Sequence, residues 1–319
     1  MRFRRAASGG WQVAGGYGVI VGLMAGLGLL FFASPSAAQE YTVTFHGVIG
    51  QEGVGFGEFL NPAGISLDPA GNLYVADSGN HRIQRLTQAG EYTTIFGGFG
   101  FDRQQLNQPM AVVATGLDVY VADMQNRRIK RLDRLLNFLG VLPEDPEASL
   151  FGFPRGVAIS KVGEIYVADT ENEEIVKLNT SGQLEVRFGG FSYEQGRLHR
   201  PANIAVGPAG KVYVADTGNH RIAIFDAFGG YLTDISSDTL KAPEGVDVDD
   251  SGLVYVADTG NHRFTVFSKE GTLLLSFGAQ GVGIGSFSEP RDISVGPAGK
   301  IYVADTGNHR IQMFRMEKK

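Results

Sequence analysis

Tyr213-Val-Ala-Asp-Thr-Gly-Asn-His-Arg221 is the stretch that decides the fold. The same nine residues recur from Tyr255 and from Tyr302, and with Ser for Thr from Tyr74. Looser copies begin at Tyr120 (YVADMQNRR) and Tyr166 (YVADTENEE). The six starts lie 46, 46, 47, 42 and 47 residues apart, and a fixed period of that size marks a repeat architecture.

Working outward from the fourth copy, each unit follows one plan. After Pro201, Asn203 to Val206 reads as a first strand and Gly207-Pro-Ala-Gly210 as a turn. Val212 to Ala215, Ile222 to Phe225 and Tyr231 to Ile235 read as three more strands, separated by a loop at Asp216 to His220 and a turn at Ala227 to Gly230. Short apolar, β-branched runs bounded by Gly, Pro and Asp are strands joined by hairpins. Outside the first forty residues no helical period is sustained. Six units of four antiparallel strands predict an all-β, six-bladed β-propeller.

The last copy ends after its third strand, Ile311 to Phe314, leaving a short charged tail from Met316. Tyr41 to Phe45, followed by Gly53 to Phe59 and Pro62, mirrors Thr272 to Phe277, Gly281 to Phe287 and Pro290. The strand from Tyr41 is therefore expected to complete the final blade and remove an open sheet edge.

Composition narrows the function. The chain has no cysteine, so thiol nucleophiles and thiolate metal sites are excluded. Arg2, Arg4 and Arg5, the apolar run Val19 to Phe32 and the small residues before Ala38 predict a secretory signal peptide over residues 1–38. A mature domain over 39–319 is then expected in the periplasm, cell envelope or extracellular space, without membrane insertion once the signal is removed. A retained anchor is the alternative reading of the same run. Removing three arginines changes the balance from 28 basic and 34 acidic residues to 25 − 34 = −9, which disfavours nucleic acid as a partner.

The repeated YVADTGNHR resembles the NHL-repeat family, named for an Asn-His-Leu triplet that here reads Asn-His-Arg. The resemblance covers about residues 41 to 316. It implies a six-bladed propeller used as a binding platform, most often for proteins or nucleic acid, and in a few relatives an enzyme.

Residues present in every unit are expected to build the frame. Asp77, Asp123, Asp169, Asp216, Asp258 and Asp305 end the second strands, where a carboxylate accepts backbone N–H groups across the following turn. The loop asparagines, Asn219 among them, suit a left-handed turn position, and arginines such as Arg221 are expected to pair with an Asp of the neighbouring blade. The histidines have no metal-ligand spacing. Asp247-Val-Asp-Asp-Ser-Gly252, superficially a calcium loop, falls in register with a hairpin turn.

Function is expected where the repeats differ. The pairs after each opening proline should ring the mouth of the central channel: Ala63-Gly64, Met110-Ala111, Arg155-Gly156, Ala202-Asn203, Glu244-Gly245 and Arg291-Asp292. Arg155, Asn203, Glu244, Arg291 and Asp292 then form a polar cluster on a bland rim. Glu171, Glu173 and Glu174 replace Gly, His and Arg in the third copy, and Pro143-Glu-Asp-Pro-Glu147 adds acid nearby, predicting a strongly negative sector. Such a face suits a protein, peptide or glycan partner bound by a monomeric scaffold without a cofactor.

The alternative is a hydrolase at the same mouth. Six-bladed propellers resembling gluconolactonases hold a divalent cation with Glu, Asn and Asp, and Glu244, Asn203 and Asp292 are chemically similar, which would suit calcium or another divalent cation. The motifs around those ligands differ from this chain. A zinc lyase within the family uses channel histidines, and no histidine occupies the rim pairs.

Overall fold

The computed structural model describes residues 41–145, 149–190, 195–236 and 239–319; the signal peptide expected over 1–38 lies outside the described residues. Among the described residues, twenty-four strands form six four-stranded antiparallel sheets, here blades I to VI. Blade IV shows the plan, from the channel outward: Pro201–Val206, Val212–Asp216, Arg221–Phe225 and Tyr231–Ile235. These bounds match the expected strands to within two residues.

The second strand is buried along its whole length because both of its faces meet neighbouring blades. Between blades III and IV, for example, Tyr166, Ala168 and Ile175 pack with Ile204, Val212, Val214 and Phe225. Equivalent apolar layers separate the other blades, so the core is a ring of six seams.

Blade VI is completed from the start of the described chain. Tyr41–Ile49 pairs antiparallel with Arg310–Lys318, from Tyr41 opposite Lys318 to Ile49 opposite Ile311. Met316, Glu317 and Lys318, read as a tail, instead continue this last strand, and Met316 is buried with Val43 in the blade V–VI seam.

The inner strands come very close at the channel mouth. A Cβ on Gly64, Gly156 or Gly245 would lie 2.6, 2.8 and 2.6 Å from the Cα of Ala111, Asn203 and Asp292 of the next blade. Glycine in blades I, III and V thus lets the larger rim residue of blades II, IV and VI approach the axis.

The repeated motif works as frame, with three corrections to its expected chemistry. The Asp accepts an N–H chiefly from the incoming loop of its own blade: His199 N–H donates to Asp216 Oδ1 at 2.7 Å, while an N–H of the following turn joins in blade III, from Asn172 to Asp169 Oδ1 at 3.4 Å. Its Oδ2 receives Asn219 Nδ2 at 2.9 Å and Arg221 Nε at 2.7 Å. The arginine therefore pairs within its blade, and its Nη2 reaches Arg197 O in the incoming linker. The left-handed position belongs to the residue after the Asn, His220 with φ 56°.

Blade-to-blade contact falls to the other two polar residues. Thr217 Oγ1 donates to Pro243 O at 2.6 Å, and His220 Nδ1 accepts the Ala242 N–H at 2.9 Å. Thr259, Thr306 and Thr170 repeat the first clasp, and His81, His262 and His309 repeat the second.

Candidate functional site

The rim positions chosen from the sequence do converge. Ala63, Met110, Arg155, Ala202, Asn203, Glu244, Arg291 and Asp292 line one small void of about 20 Å3 at the channel mouth. It is small because the charged groups bridge across it. Arg155 Nη2 donates to Glu244 Oε2 at 2.7 Å, joining blades III and V. Asn203 Nδ2 donates to Asp292 Oδ1 at 2.7 Å, joining blades IV and VI.

Asp292 is also a seam residue. Its Oδ2 accepts the Ile65 N–H of blade I at 2.8 Å, and its Oδ1 the Ile293 N–H at 2.9 Å. Burial pushes its carboxyl up to about 8, against the pull of these donors and helped by the nearby Asp247. Asp247 borders the channel below the mouth, a cavity of about 150 Å3 that Ser66, Asn203 and Ser294 also line. Its Oδ2 accepts the Val295 N–H of blade VI at 2.8 Å, and burial raises it to about 6.

These contacts engage Asn203, Glu244 and Asp292 with protein partners. Both Asp292 oxygens face N–H donors, Asn203 Oδ1 accepts the Ile204 N–H at 2.7 Å, and Glu244 Oε2 faces two arginines. Among the described residues no group of three or more acidic or histidine side chains is arranged to hold a metal. The loop at Asp247 to Gly252 is the expected hairpin turn, with Asp249 Oδ1 accepting the Ser251 and Leu253 N–H groups.

The three glutamates of the acidic sector each have a partner. Arg127 of blade II lies 3.4 Å from Glu171, His199 Nδ1 lies 2.5 Å from Glu173 Oε1, and Arg187 pairs with Glu174 from the adjacent strand. Each acid has a cationic or hydrogen-bonding neighbour that sequence order conceals. Of the acidic linker, residues 146–148 lie outside the described residues. Glu173 and His199 border a cleft of about 680 Å3 at the outer rim, with Arg221, Tyr231 and Asp234.

The open space on the loop-bearing face lies beside the mouth. A depression of about 470 Å3 spreads over blades I to III and reaches the first residues of blades IV and VI, lined by Asn61, Ser78, Gly79, Gln108, Met110, Met124, Phe153, Arg155, Thr170, Arg200 and Arg291. Sequence reasoning reached Arg155 and Arg291 but missed Arg200, Met124 and Phe153. The available signal was position: Arg200 and Phe153 immediately precede Pro201 and Pro154, and Met124 stands where the motif has Thr.

A closed ring of repeats with a shaped central face defines a propeller platform. The chain is an NHL-repeat protein: the NHL repeat model matches residues 59–86, 151–178, 198–225, 240–267 and 287–314, all blades except II. Among curated relatives it is similar to Protein brain tumor of Drosophila melanogaster, 27% identical over 165 residues, covering 51% of this chain and 16% of that protein. It is 33% identical over 105 residues to NHL repeat-containing protein 2 of Homo sapiens, covering 29% of this chain and 14% of that protein. The chain thus spans less than a fifth of these relatives.

Among solved structures, a streptogramin B lyase superposes with TM-score 0.61 at 14% identity, covering 88% of this chain and all of the other. A gluconolactonase from Xanthomonas campestris gives 0.63 at 15%, covering 87% and 90%. At such identity the likeness establishes the fold alone.

Proposed function

We propose that this protein is a non-enzymatic recognition module, exported by its N-terminal leader, that captures a protein or peptide on the loop-bearing face. The observation that carries this reading is the contrast at the centre of that face. The mouth is bridged by Arg155–Glu244 and Asn203–Asp292 down to about 20 Å3, while about 470 Å3 stands open beside it. A small-molecule substrate has little room in the mouth, whereas side chains of a partner have a ready seat above it. NHL propellers are a general protein-binding module, which agrees with this use.

The test is affinity capture from the envelope of the producing cell, with Arg155→Ala and Glu244→Ala as comparators. Both substitutions should reduce recovery of the partner while circular dichroism stays that of the wild type. Equal recovery by both variants would remove the central face from the reading.

A further inference from the structure

The depression on the loop-bearing face carries a charge opposite to that of the chain. Acidic residues outnumber basic ones by 34 to 28, yet three arginines and no acid line this space. Their guanidinium groups are also poorly used. Arg155 gives one hydrogen bond, to Glu244. Arg291 gives none: its Nε is buried without an acceptor, 3.6 Å from Glu244 Oε2, and its Nη2 lies 3.7 Å from the exposed Glu289.

Arg200 forms no ion pair or hydrogen bond through its side chain with any described residue. Its base is nonetheless held still. His199 N–H bonds Asp216 at 2.7 Å, Gly218 N–H bonds His199 O at 2.8 Å, and Pro201 opens the next strand. A fixed backbone removes the chain-ordering part of the cost of meeting an anion and leaves the side chain to be ordered.

We propose that this depression receives a peptide carboxylate, seated in the arginine forks, with an adjacent apolar side chain held by Met110, Met124 and Phe153. This rests on the reading of the face as a protein-binding surface and names the chemistry it selects. Planar guanidinium groups match a carboxylate with two parallel hydrogen bonds, which a point charge does not. Methionines adapt to apolar side chains of different shape. Phe153 gives a stiffer wall, with the Arg127 guanidinium 5.2 Å from its ring centroid. A uronate-bearing glycan offers the same carboxylate, but its hydroxyls would meet these three apolar side chains unpaired.

The experiment uses the mature chain and fluorescence anisotropy with pools of capped peptides that carry Glu beside Leu or Phe. A matched pool replaces Glu by Gln, and oligogalacturonate serves as competitor. The Glu pool should bind about tenfold more tightly than the Gln pool. That advantage should disappear in Arg291→Gln, shrink in Arg200→Gln and weaken at about 0.5 M salt. Arg200→Gln breaks no side-chain hydrogen bond or ion pair among the described residues, and circular dichroism of the variant separates loss of binding from loss of fold. Equal binding of the two pools, wild-type binding by both variants, or binding of labelled oligogalacturonate where neither peptide pool binds measurably would each overturn the assignment. Continued capture of an envelope partner alongside such a failure would overturn the carboxylate alone and leave the platform reading intact.

Discussion

Arg155 and Glu244 meet at 2.7 Å across the channel mouth, tying blade III to blade V over the top of blade IV. Both side chains are more than four-fifths buried, so the pair is shielded from solvent and each partner depends on the other. Arg155→Ala or Glu244→Ala should each lower stability by about 1–2 kcal/mol. The double variant should lose clearly less than the sum, because both partners of the 2.7 Å pair leave together and only Arg291, 3.6 Å from Glu244, loses a neighbour. Urea unfolding of the four proteins measures the coupling, and strict additivity would refute it.

Thr306 closes the ring chemically where blade VI meets blade I, donating to Pro62 O at 2.7 Å from a buried hydroxyl. Thr306→Val keeps the shape and leaves that carbonyl without its donor, at a cost of about 1–3 kcal/mol. Thr306→Ser should recover most of the loss. The urea midpoints of the two variants are the readout, and a valine variant as stable as wild type would deny the clasp a role.

Asp292 sets a pH dependence whose sign follows from its raised carboxyl. In the folded chain it keeps its proton up to about 8, whereas an unfolded Asp releases it near 4. Between those values the folded state binds more protons, so stability falls as pH rises, with a slope of up to about 1.4 kcal/mol per unit from this group. Asp247, raised to about 6, adds to the fall below that pH. Asp292→Asn should flatten the profile between pH 6 and 8 whatever it does to absolute stability. Denaturant titrations across that range check the slope.

Lys130 is buried in blade II at the position of Gln84 in blade I and Gln312 in blade VI. All three pin the incoming linker: Lys130 Nζ donates to Asp102 O and Arg103 O, and the glutamines hold Glu58 O and Ser286 O. Burial lowers the lysine to about 8, with Arg128 pushing the same way. Lys130→Gln keeps two donors and removes the charge, so it should stabilise the fold by on the order of 1 kcal/mol at pH 7. Since an unfolded Lys titrates near 10.4, the advantage should shrink as pH rises from 8 towards that value. Chemical denaturation at pH 7 and pH 10 distinguishes the outcomes.

The frame was legible because apolar runs and turn residues repeat six times, each copy checking the others. The strand borders of blade IV, closure by Tyr41 and the ring of residues behind the prolines all follow from that register. Partners were much less legible. Nothing in the spacing says that Glu171 meets Arg127 or that Glu173 meets His199, because these pairs form across a seam between blades. The direction of each contact was hidden for the same reason. His220 reaches forward to Ala242, while Arg221, its chain neighbour, turns back to Asp216. Adjacent positions in one turn point to opposite sides, and the linear code carries no trace of which.

Closure through blade VI also fixes an order of events. Thr42 Oγ1 donates to Glu317 O over a separation of 275 residues, and the whole strand from Tyr41 to Ile49 has its sheet partner at the far end of the chain. That strand must therefore wait, unpaired, until nearly every other residue has been made. Blades I to V draw all four strands from one continuous segment and are free to assemble as they emerge. Blade VI instead bears the loop-closure entropy of the entire circle and comes last. A chain cut short by even its final ten residues would keep most of its sheets and lose its ring, with two raw sheet edges exposed to other molecules.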